Sequence, residues 1–296
     1  MFVLSLFDGL SCGHIALDRC GIPVEKYYAS EIDKNAIAIT QYNYPNTIQL
    51  GDVNKWESWN LEWDKIDLII GGSPCQNLSN AGNQTGLDGS ESSLFYRFVE
   101  ILDFIKTKNP NVKFLLENVN MKPDWKKQFN DWMGVEPVLI DSALVSAQTR
   151  KRLYWTNIQN ITKLEDKHIY IKDIVEPEED KQYCKITDKM YAKKEGTLAF
   201  KKAWSSVRTL DQKLKTLTCS QAIANSGATN IKYPNGEYYK PTPLESERAQ
   251  TLPENYTKYG VFNGVVKEMK YGPRIKGVGN GWTVDVICSI FDGLKE

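Results

Sequence analysis

Leu4-Ser5-Leu6-Phe7-Asp8-Gly9-Leu10-Ser11-Cys12-Gly13, at the start of a 296-residue chain, is the stretch that decides the fold. An apolar strand over 2–6 runs into a glycine-bearing turn and then a helix. The turn's backbone can approach a ligand closely, and helix N–H groups can meet its polar end. Such turns also occur where glycine serves only a positive φ. Two acids extend the pattern. Glu31 ends the second strand 22 residues after Gly9, about the offset at which an acid accepts ribose hydroxyls in doubly wound nucleotide sites. Gly51-Asp52-Val53 follows a third strand and offers a carboxylate to an adenine amino group. The glycines depart from G-x-G-x-x-G, which argues for a smaller adenosyl compound rather than a dinucleotide.

Outward from this turn, short apolar runs alternate with segments of helical period. That is the pattern of an α/β, doubly wound, Rossmann-like parallel sheet with helices on both faces. Strands are expected at 2–6, 27–30, 47–50, 66–70, 113–117, 135–140 and 152–156, and helices at 12–20, 33–44, 92–108 and 123–133. The third helix has Ser92 and Ser93 as caps, with Leu94, Phe98, Ile101, Leu102 and Ile105 at helical spacing. From about Ile158 the charge clusters and the periodicity fades. The expected organisation is a catalytic domain over 1–157 plus 277–296 and a smaller domain over 158–276.

The chain has 37 basic and 37 acidic side chains, so any nucleic-acid contact must be local. Residues 158–276 hold 21 basic and 15 acidic side chains, a net of +6, against −6 for the remainder. A basic second domain beside an acidic first one is one reading of this split, and chance is the other. Within the second domain Thr242-Pro243-Leu244-Glu245 opens a short helix with a capping box and proline at its first position. The final segment, 281–294, sets Val284, Ile287, Cys288 and Phe291 on one face, as expected of a helix packing back onto the first domain. The six cysteines are scattered without a C-x-x-C pair, so neither a zinc knot nor a disulfide framework is indicated. Only two histidines, His14 and His168, are available to hydrolase or metal chemistry. The amino terminus lacks a basic n-region, and no apolar run reaches the ~18 residues of a membrane span. A reducing, intracellular setting is expected.

Gly71-Gly72-Ser73-Pro74-Cys75-Gln76-Asn77-Leu78-Ser79 follows the apolar strand 66–70, which puts Cys75 at the carboxyl edge of the sheet. Its polar neighbours suit a tight loop and a nucleophile; the other fate of a cysteine is a buried structural one. Gly82, Gly86 and Gly89 break up the next polar segment, either a lid or an ordinary loop. Lys113 to Val119 places Glu117 where an apolar strand ends. A partly desolvated carboxyl group favours its protonated form and suits a proton donor near neutral pH, while a Glu-Asn helix cap is the plainer reading. In Gln148-Thr149-Arg150-Lys151-Arg152, strand alternation predicts Arg150 and Arg152 on one face, fit for a phosphate or a carbonyl oxygen, or for a solvated charge cluster.

Taken in this order, these motifs resemble the DNA (cytosine-5) methyltransferases over nearly the whole chain. The matches are Phe7-Asp8-Gly9 to Gly13, Glu31, Gly51-Asp52, Ser73-Pro74-Cys75-Gln76, Glu117-Asn118-Val119, Gln148 to Arg152 and Gly279-Asn280. Phe7-Asp8-Gly9, Ala29-Ser30-Glu31, Gly71 to Cys75 and Trp282-Thr283-Val284 are most similar to the animal de novo branch. No regulatory domain precedes Met1, so a compact microbial or phage-borne relative, acting in the cytoplasm of a bacterial or phage-infected cell, is expected.

The resemblance implies S-adenosylmethionine as donor, S-adenosylhomocysteine as product, and transfer to C5 of a flipped cytosine in double-stranded DNA. It implies that Phe7 stacks on the adenine, Glu31 binds the ribose and Asp52 the adenine edge. Asp8, Gly9, Gly13, Ile32, Val53, Ser73, Pro74, Asn280 and Trp282 would complete the cofactor site. Cys75 would be the nucleophile, Glu117 would hold the base at N3 and the exocyclic amine, and Arg150, with Arg152 beside it, would contact O2. Gln76 and Ser79 after the nucleophile, and Ser220, Gln221, Asn225 and Ser226 within 216–230, are the candidate DNA contacts. The stretch 216–230 also reads as a structural loop. No metal and no membrane are implied, and a monomer is expected; restriction-modification is one setting of the family. A tRNA cytosine methyltransferase on the same scaffold is the alternative, although a Cys-Phe-Thr stretch characteristic of that branch is not present. A catalytically silent DNA-binding relative would have lost Cys75 or Glu117, and both are here.

Overall fold

The computed structural model describes residues 1–73, 93–186, 207–219 and 229–295. The chain divides into two compact units: Met1–Asp141, Lys151–Lys163 and Ile287–Glu296 in the first, and Ser142–Arg150 with Leu164–Val286 in the second. The composition change near Ile158 lies close to the division after Lys163. Residues 142–150 and 277–286, by contrast, fall in the second unit.

The first unit is built on one sheet of seven strands: β1 (Phe2–Leu6), β2 (Lys26–Ser30), β3 (Ile48–Gln49), β4 (Ile66–Gly72), β5 (Lys113–Val119), β6 (Val138–Asp141) and β7 (Lys151–Thr156), in the order β3-β2-β1-β4-β5-β7-β6. The mixed α/β architecture expected from the alternation is what the chain adopts. From β1 the chain moves outward one way through β2 and β3, then the other way through β4 and β5. The loops after β1 and β4 part at that switch, where ligands bind in open α/β sheets.

An all-parallel sheet is expected from the pattern, and here the structure differs. β7 runs antiparallel to both β5 and β6. A parallel return needs a crossover of a dozen or more residues, usually a helix, whereas only 142–150 join β6 to β7. β3 is also shorter than expected, two residues at the sheet's edge where a partner exists on one side only.

Helices α1 (Cys12–Arg19), α2 (Lys34–Asn43), α3 (Ser93–Lys108) and α4 (Pro123–Met133) connect the strands. The helical spacing read in α3 is its buried stripe: Phe98, Ile101, Leu102 and Ile105 are all at most 1% exposed. They share a core with Leu4 and Leu6 of β1, Ile69 of β4, Leu116 of β5 and Trp155 of β7. Phe95 stacks on Phe129 of α4 at 3.8 Å between ring centroids. Such aromatic burial is the main favourable term in holding helices to this sheet.

In the second unit, β8 (Arg208–Thr209), β9 (Ile231–Lys232) and β10 (Tyr238–Tyr239) form a small sheet, and β11 (Tyr259–Phe262) and β12 (Val265–Glu268) form a separate hairpin. Helix α5 (Pro243–Ala249) starts as expected: Glu245 N donates to Thr242 Oγ1 at 3.0 Å, and Thr242 N donates to Glu245 Oε2 at 2.9 Å. Glu245 is fully buried and pairs with Lys181, also fully buried, whose Nζ donates to Tyr233 Oη at 2.6 Å. Helices α6 (Tyr271–Asn280) and α7 (Val284–Phe291) follow. Val284, Ile287 and Phe291 are buried as the amphipathic reading expects, and Cys288 Sγ, in the first unit, donates to Ala16 O of α1 at 3.7 Å. Among the described residues no helix is long and apolar enough to cross a membrane.

Candidate active site

At the carboxyl end of β1 the chain makes an unusual turn: Phe7, Gly9 and Ser11 all have left-handed backbone, with φ of 57°, 58° and 53°. Only Gly9 adopts this without steric cost, so surrounding hydrogen bonds must hold the other two. Asp8 N donates to Ser30 O at 3.1 Å and Ser11 N to Asp8 O at 3.0 Å. Asp8 itself accepts from Ser11 Oγ and, at 2.9 Å, from Tyr27 Oη. Burial pushes its carboxyl up to about 6, desolvation outweighing the hydrogen bonds from Ser11, Ser5 and Tyr27, with Glu31 adding to the rise. Tyr27, on β2, is a supporting residue that sequence patterning hides, since it reads as one more apolar strand position.

Glu31 is tied to the same turn. Its Oε2 accepts from Gly9 N at 2.9 Å, while Oε1 accepts from Ile32 N and Asp33 N, each at 2.8 Å. A carboxylate has about four acceptor sites, so three are in use and the fourth, on Oε2, is the one a ribose hydroxyl would find. Beside it Ile32 is 72% exposed, an apolar side chain left uncovered. Asp52 caps the 3-10 turn Val53–Ser58; both Asn54 N and Asn54 Nδ2 donate to its Oδ1 at 3.0 Å. Val53 is 5% exposed and belongs to the core, so what it offers a ligand is backbone. Gly13 has a packing reason of its own: a Cβ there would lie 2.2 Å from Ile70 Cδ1.

One strand pair further, Gly72 of β4 lies in register with Glu117 of β5. Ser73 is buried and accepts from Asn118 Nδ2 at 3.0 Å. Glu117 is 10% exposed in its side chain and pairs with Arg152, 14% exposed, at 2.8 Å from Nε to Oε1. The burial expected of Glu117 is present, and an arginine accompanies it.

Arg150 departs from the expectation. β7 begins at Lys151, so strand alternation does not reach it, and it belongs to the second unit while Arg152 belongs to the first. Its buried guanidinium donates to Leu217 O and Gly281 O, both at 2.9 Å, and reaches Gly279 O at 3.4 Å. It caps the carboxyl end of α6, where a cation is favoured. Gln148 and Gln250, both 0% exposed, complete this buried cluster. Gln148 Nε2 donates to Ala249 O and Gln250 Oε1 at 2.7 Å, and Gln250 Nε2 to Val278 O at 2.9 Å. Thr283 Oγ1 donates to Gln250 Oε1 at 2.7 Å. Asn280, exposed, and Trp282, half-buried, lie next to these groups in the second unit. Pro74, Cys75, Gln76, Ser79, Ser220, Gln221, Asn225 and Ser226, with Gly82, Gly86 and Gly89, lie outside the described residues. Among the described residues no group of three or more His, Cys, Asp or Glu side chains is placed to hold a metal ion.

The sequence profile of the family described as C-5 cytosine-specific DNA methylase matches residues 1–296. The orphan methyltransferase M.SPRI of Bacillus phage SPR is 38% identical over 119 residues, covering 40% of this chain and 26% of that protein. The chain's match thus spans about a quarter of this phage relative's length. The type II methyltransferase M1.ScrFI of Lactococcus lactis subsp. cremoris is 29% identical over 281 residues, 86% of this chain and 70% of the relative. The fold matches the S. pombe Dnmt2 methyltransferase at a TM-score of 0.71 and 16% identity, over 99% of this chain and 97% of that one. It also matches the Entamoeba histolytica methyltransferase EhMeth at 0.72 and 16% identity, over 100% and 99%.

Proposed function

The chain belongs to the C-5 cytosine-specific DNA methylase family, and from that premise we propose that it methylates C5 of a flipped cytosine in duplex DNA through a covalent adduct on Cys75. The observation that carries the reading is the register of β4 on β5. The strand that leads into Cys75 ends at Gly72, opposite Glu117, so nucleophile loop and carboxylate issue from neighbouring strand ends.

The residues at the other strand ends fit S-adenosylmethionine. Glu31 keeps one acceptor site for a ribose hydroxyl, Gly9 lets the turn approach the ligand, and Ile32 and Phe7 offer apolar surface to a flat base, with Asp52 toward its amino edge. When bound, that cofactor supplies an activated methyl group. The chain's own residues do the rest. C5 of cytosine is a weak nucleophile until the Cys75 thiolate adds at C6. Glu117, held in place by Arg152, then holds N3 and the exocyclic amine and stabilises the electron-rich ring as C5 takes the methyl group. Loss of the C5 proton restores the double bond and expels the thiolate. A stacked base exposes neither face, so the cytosine must leave the helix. The second unit, with the basic stretch 158–276, would hold the duplex, and the acceptor for Arg150 in this role would be the cytosine O2, in competition with the carbonyls of Leu217, Gly279 and Gly281.

The test is a pair of substrates and one variant. Wild type is expected to methylate duplex DNA rather than tRNA, and to form a denaturation-resistant adduct with duplex carrying 5-fluorocytosine, where fluorine blocks the elimination. Cys75→Ala is expected to lose both while keeping cofactor affinity within a few-fold. Turnover by the alanine variant, or methylation confined to tRNA, would sink the reading.

A further inference from the structure

The hairpin of β11 and β12 is a ribbon with no core of its own. Its turn, Asn263-Gly264, has φ of 49° and 78°, the left-handed pair that a two-residue hairpin loop requires. Opposite residues share a face, so Val261 with Val266 stands on one side and Phe262 with Val265 on the other. Every residue of β12 is exposed, Val265 at 56% and Val266 at 53%. β11 is half-buried while β12 is bare along its length; a two-stranded hairpin is marginal in water by itself, and the exposed valines of β12 have the character of a surface awaiting a partner.

Charge says which partner. Lys258, Lys267 and Lys270 flank the ribbon, and Lys258 and Lys267 lie over Tyr259 and Phe262 at 5.6 Å and 5.9 Å. None of the three is in an ion pair among the described residues, whereas nearby Arg248 and Arg274 are paired with Glu254 and Glu247. Glu268 is the single acid on the two strands. Three uncommitted lysines around apolar side chains suit a polyanion with an apolar interior edge. The major groove of duplex DNA admits a two-stranded ribbon and presents thymine methyl groups to apolar side chains.

We propose that the ribbon Tyr259–Glu268 is a DNA contact distinct from the stretch 216–230, entering the major groove with its Phe262 and Val265 face against base edges and Lys258, Lys267 and Lys270 on phosphates. The proposal rests on duplex DNA as the substrate. It also predicts a division of labour within the ribbon, the lysines acting on all sequences and Val265, with Phe262 beside it, on base edges.

The experiment is fluorescence-anisotropy titration of the full chain with a labelled random-sequence duplex at a series of salt concentrations, alongside methylation of a duplex library. Lys258→Ala/Lys267→Ala/Lys270→Ala is expected to reduce the steepness of log affinity against log salt by about 2 to 3, at ~0.9 for each phosphate no longer neutralised. Val265→Ser/Val266→Ser is expected to keep the slope and weaken binding several-fold. Matching urea midpoints for wild type and variants show that neither change acts through folding. Wild-type slope and affinity in both variants, with wild type methylating the duplex, would overturn the proposal. So would a wild-type dimer that Val265→Ser/Val266→Ser dissociates with DNA binding untouched, because the ribbon would then serve a second copy. A wild type that neither binds nor methylates duplex DNA fails the underlying reading first, before any variant is made.

Discussion

Asp8 lies in the left-handed turn after β1, between Phe7 and Gly9. Its folded carboxyl titrates at about 6 against an ordinary value of 3.8, so between those limits the folded state binds the proton more tightly than the unfolded chain. The stabilisation this gives is fully present below about 3.8 and is lost as pH rises through about 6. Asp8→Asn removes the titration while leaving one acceptor oxygen in place of the two that Ser11 and Tyr27 use. The stability of wild type relative to this variant, from urea midpoints, is expected to rise as pH falls from 7.5 to 4.5, and a pH-independent difference would show that Asp8 is not the buried group described. Glu31 is tied differently, because it accepts from one backbone N–H of the turn, that of Gly9, and from those of Ile32 and Asp33, as well as from its expected ligand. Glu31→Ala should therefore lower thermal stability and weaken S-adenosylmethionine binding together. A charge-assisted hydrogen bond contributes ~1.5 to 3 kcal/mol, or roughly tenfold or more in affinity. Calorimetry giving unchanged affinity would remove Glu31 from the site.

Helix α6 meets the chain at Thr218 so closely that a Cβ on Gly279 would lie 2.3 Å from Thr218 C and 2.5 Å from Cys219 N. These are backbone atoms and have little room to yield, so Gly279→Ala is expected to destabilise the protein by ~1 to 3 kcal/mol. A urea midpoint equal to wild type would mean the helix and the 217–219 segment are not packed as described. The same helix shows why some elements were legible and others hidden. The capping box at Thr242 and the stripe of α3 are local patterns whose spacing follows from helix geometry, and both can be read directly. The direction of β7 cannot be, because alternation is the same for parallel and antiparallel strands; the length of the link 142–150 was the available signal. Asn263-Gly264 was a hairpin signal of the same local kind. Gln148 and Gln250, by contrast, are about a hundred residues apart and meet only in the folded chain. Arg150 belongs with them, since its partners are carbonyls that no side-chain pattern encodes.

Over the whole molecule, the zero net charge conceals a +6 stretch over 158–276 and −6 elsewhere, and the reading of the second unit as the DNA-holding part depends on that asymmetry. Phosphate contact and base contact make separable demands. Removing a phosphate contact weakens all sequences alike and flattens the salt dependence, whereas removing a base-edge contact takes away ~1 to 3 kcal/mol of discrimination at one position. The stretch 216–230 begins next to Leu217, whose backbone is held from both sides: its N–H donates to Gln148 Oε1 at 3.1 Å and its carbonyl accepts from Arg150. This anchor supports the proposal that Ser220, Gln221, Asn225 and Ser226, which follow it in the sequence, contact bases. Replacing those four with alanine should relax or abolish target choice, while the salt slope and cofactor affinity stay at wild-type values. The measurement is methylation of a randomised duplex library by wild type and variant at two salt concentrations. The same target methylated at the same rate would move base reading elsewhere, either to the loop after Cys75 or to the ribbon at 259–268. The double-valine variant of that ribbon, run on the same library, tells these two apart, because only a ribbon that reads bases changes the target distribution when Val265 and Val266 are replaced.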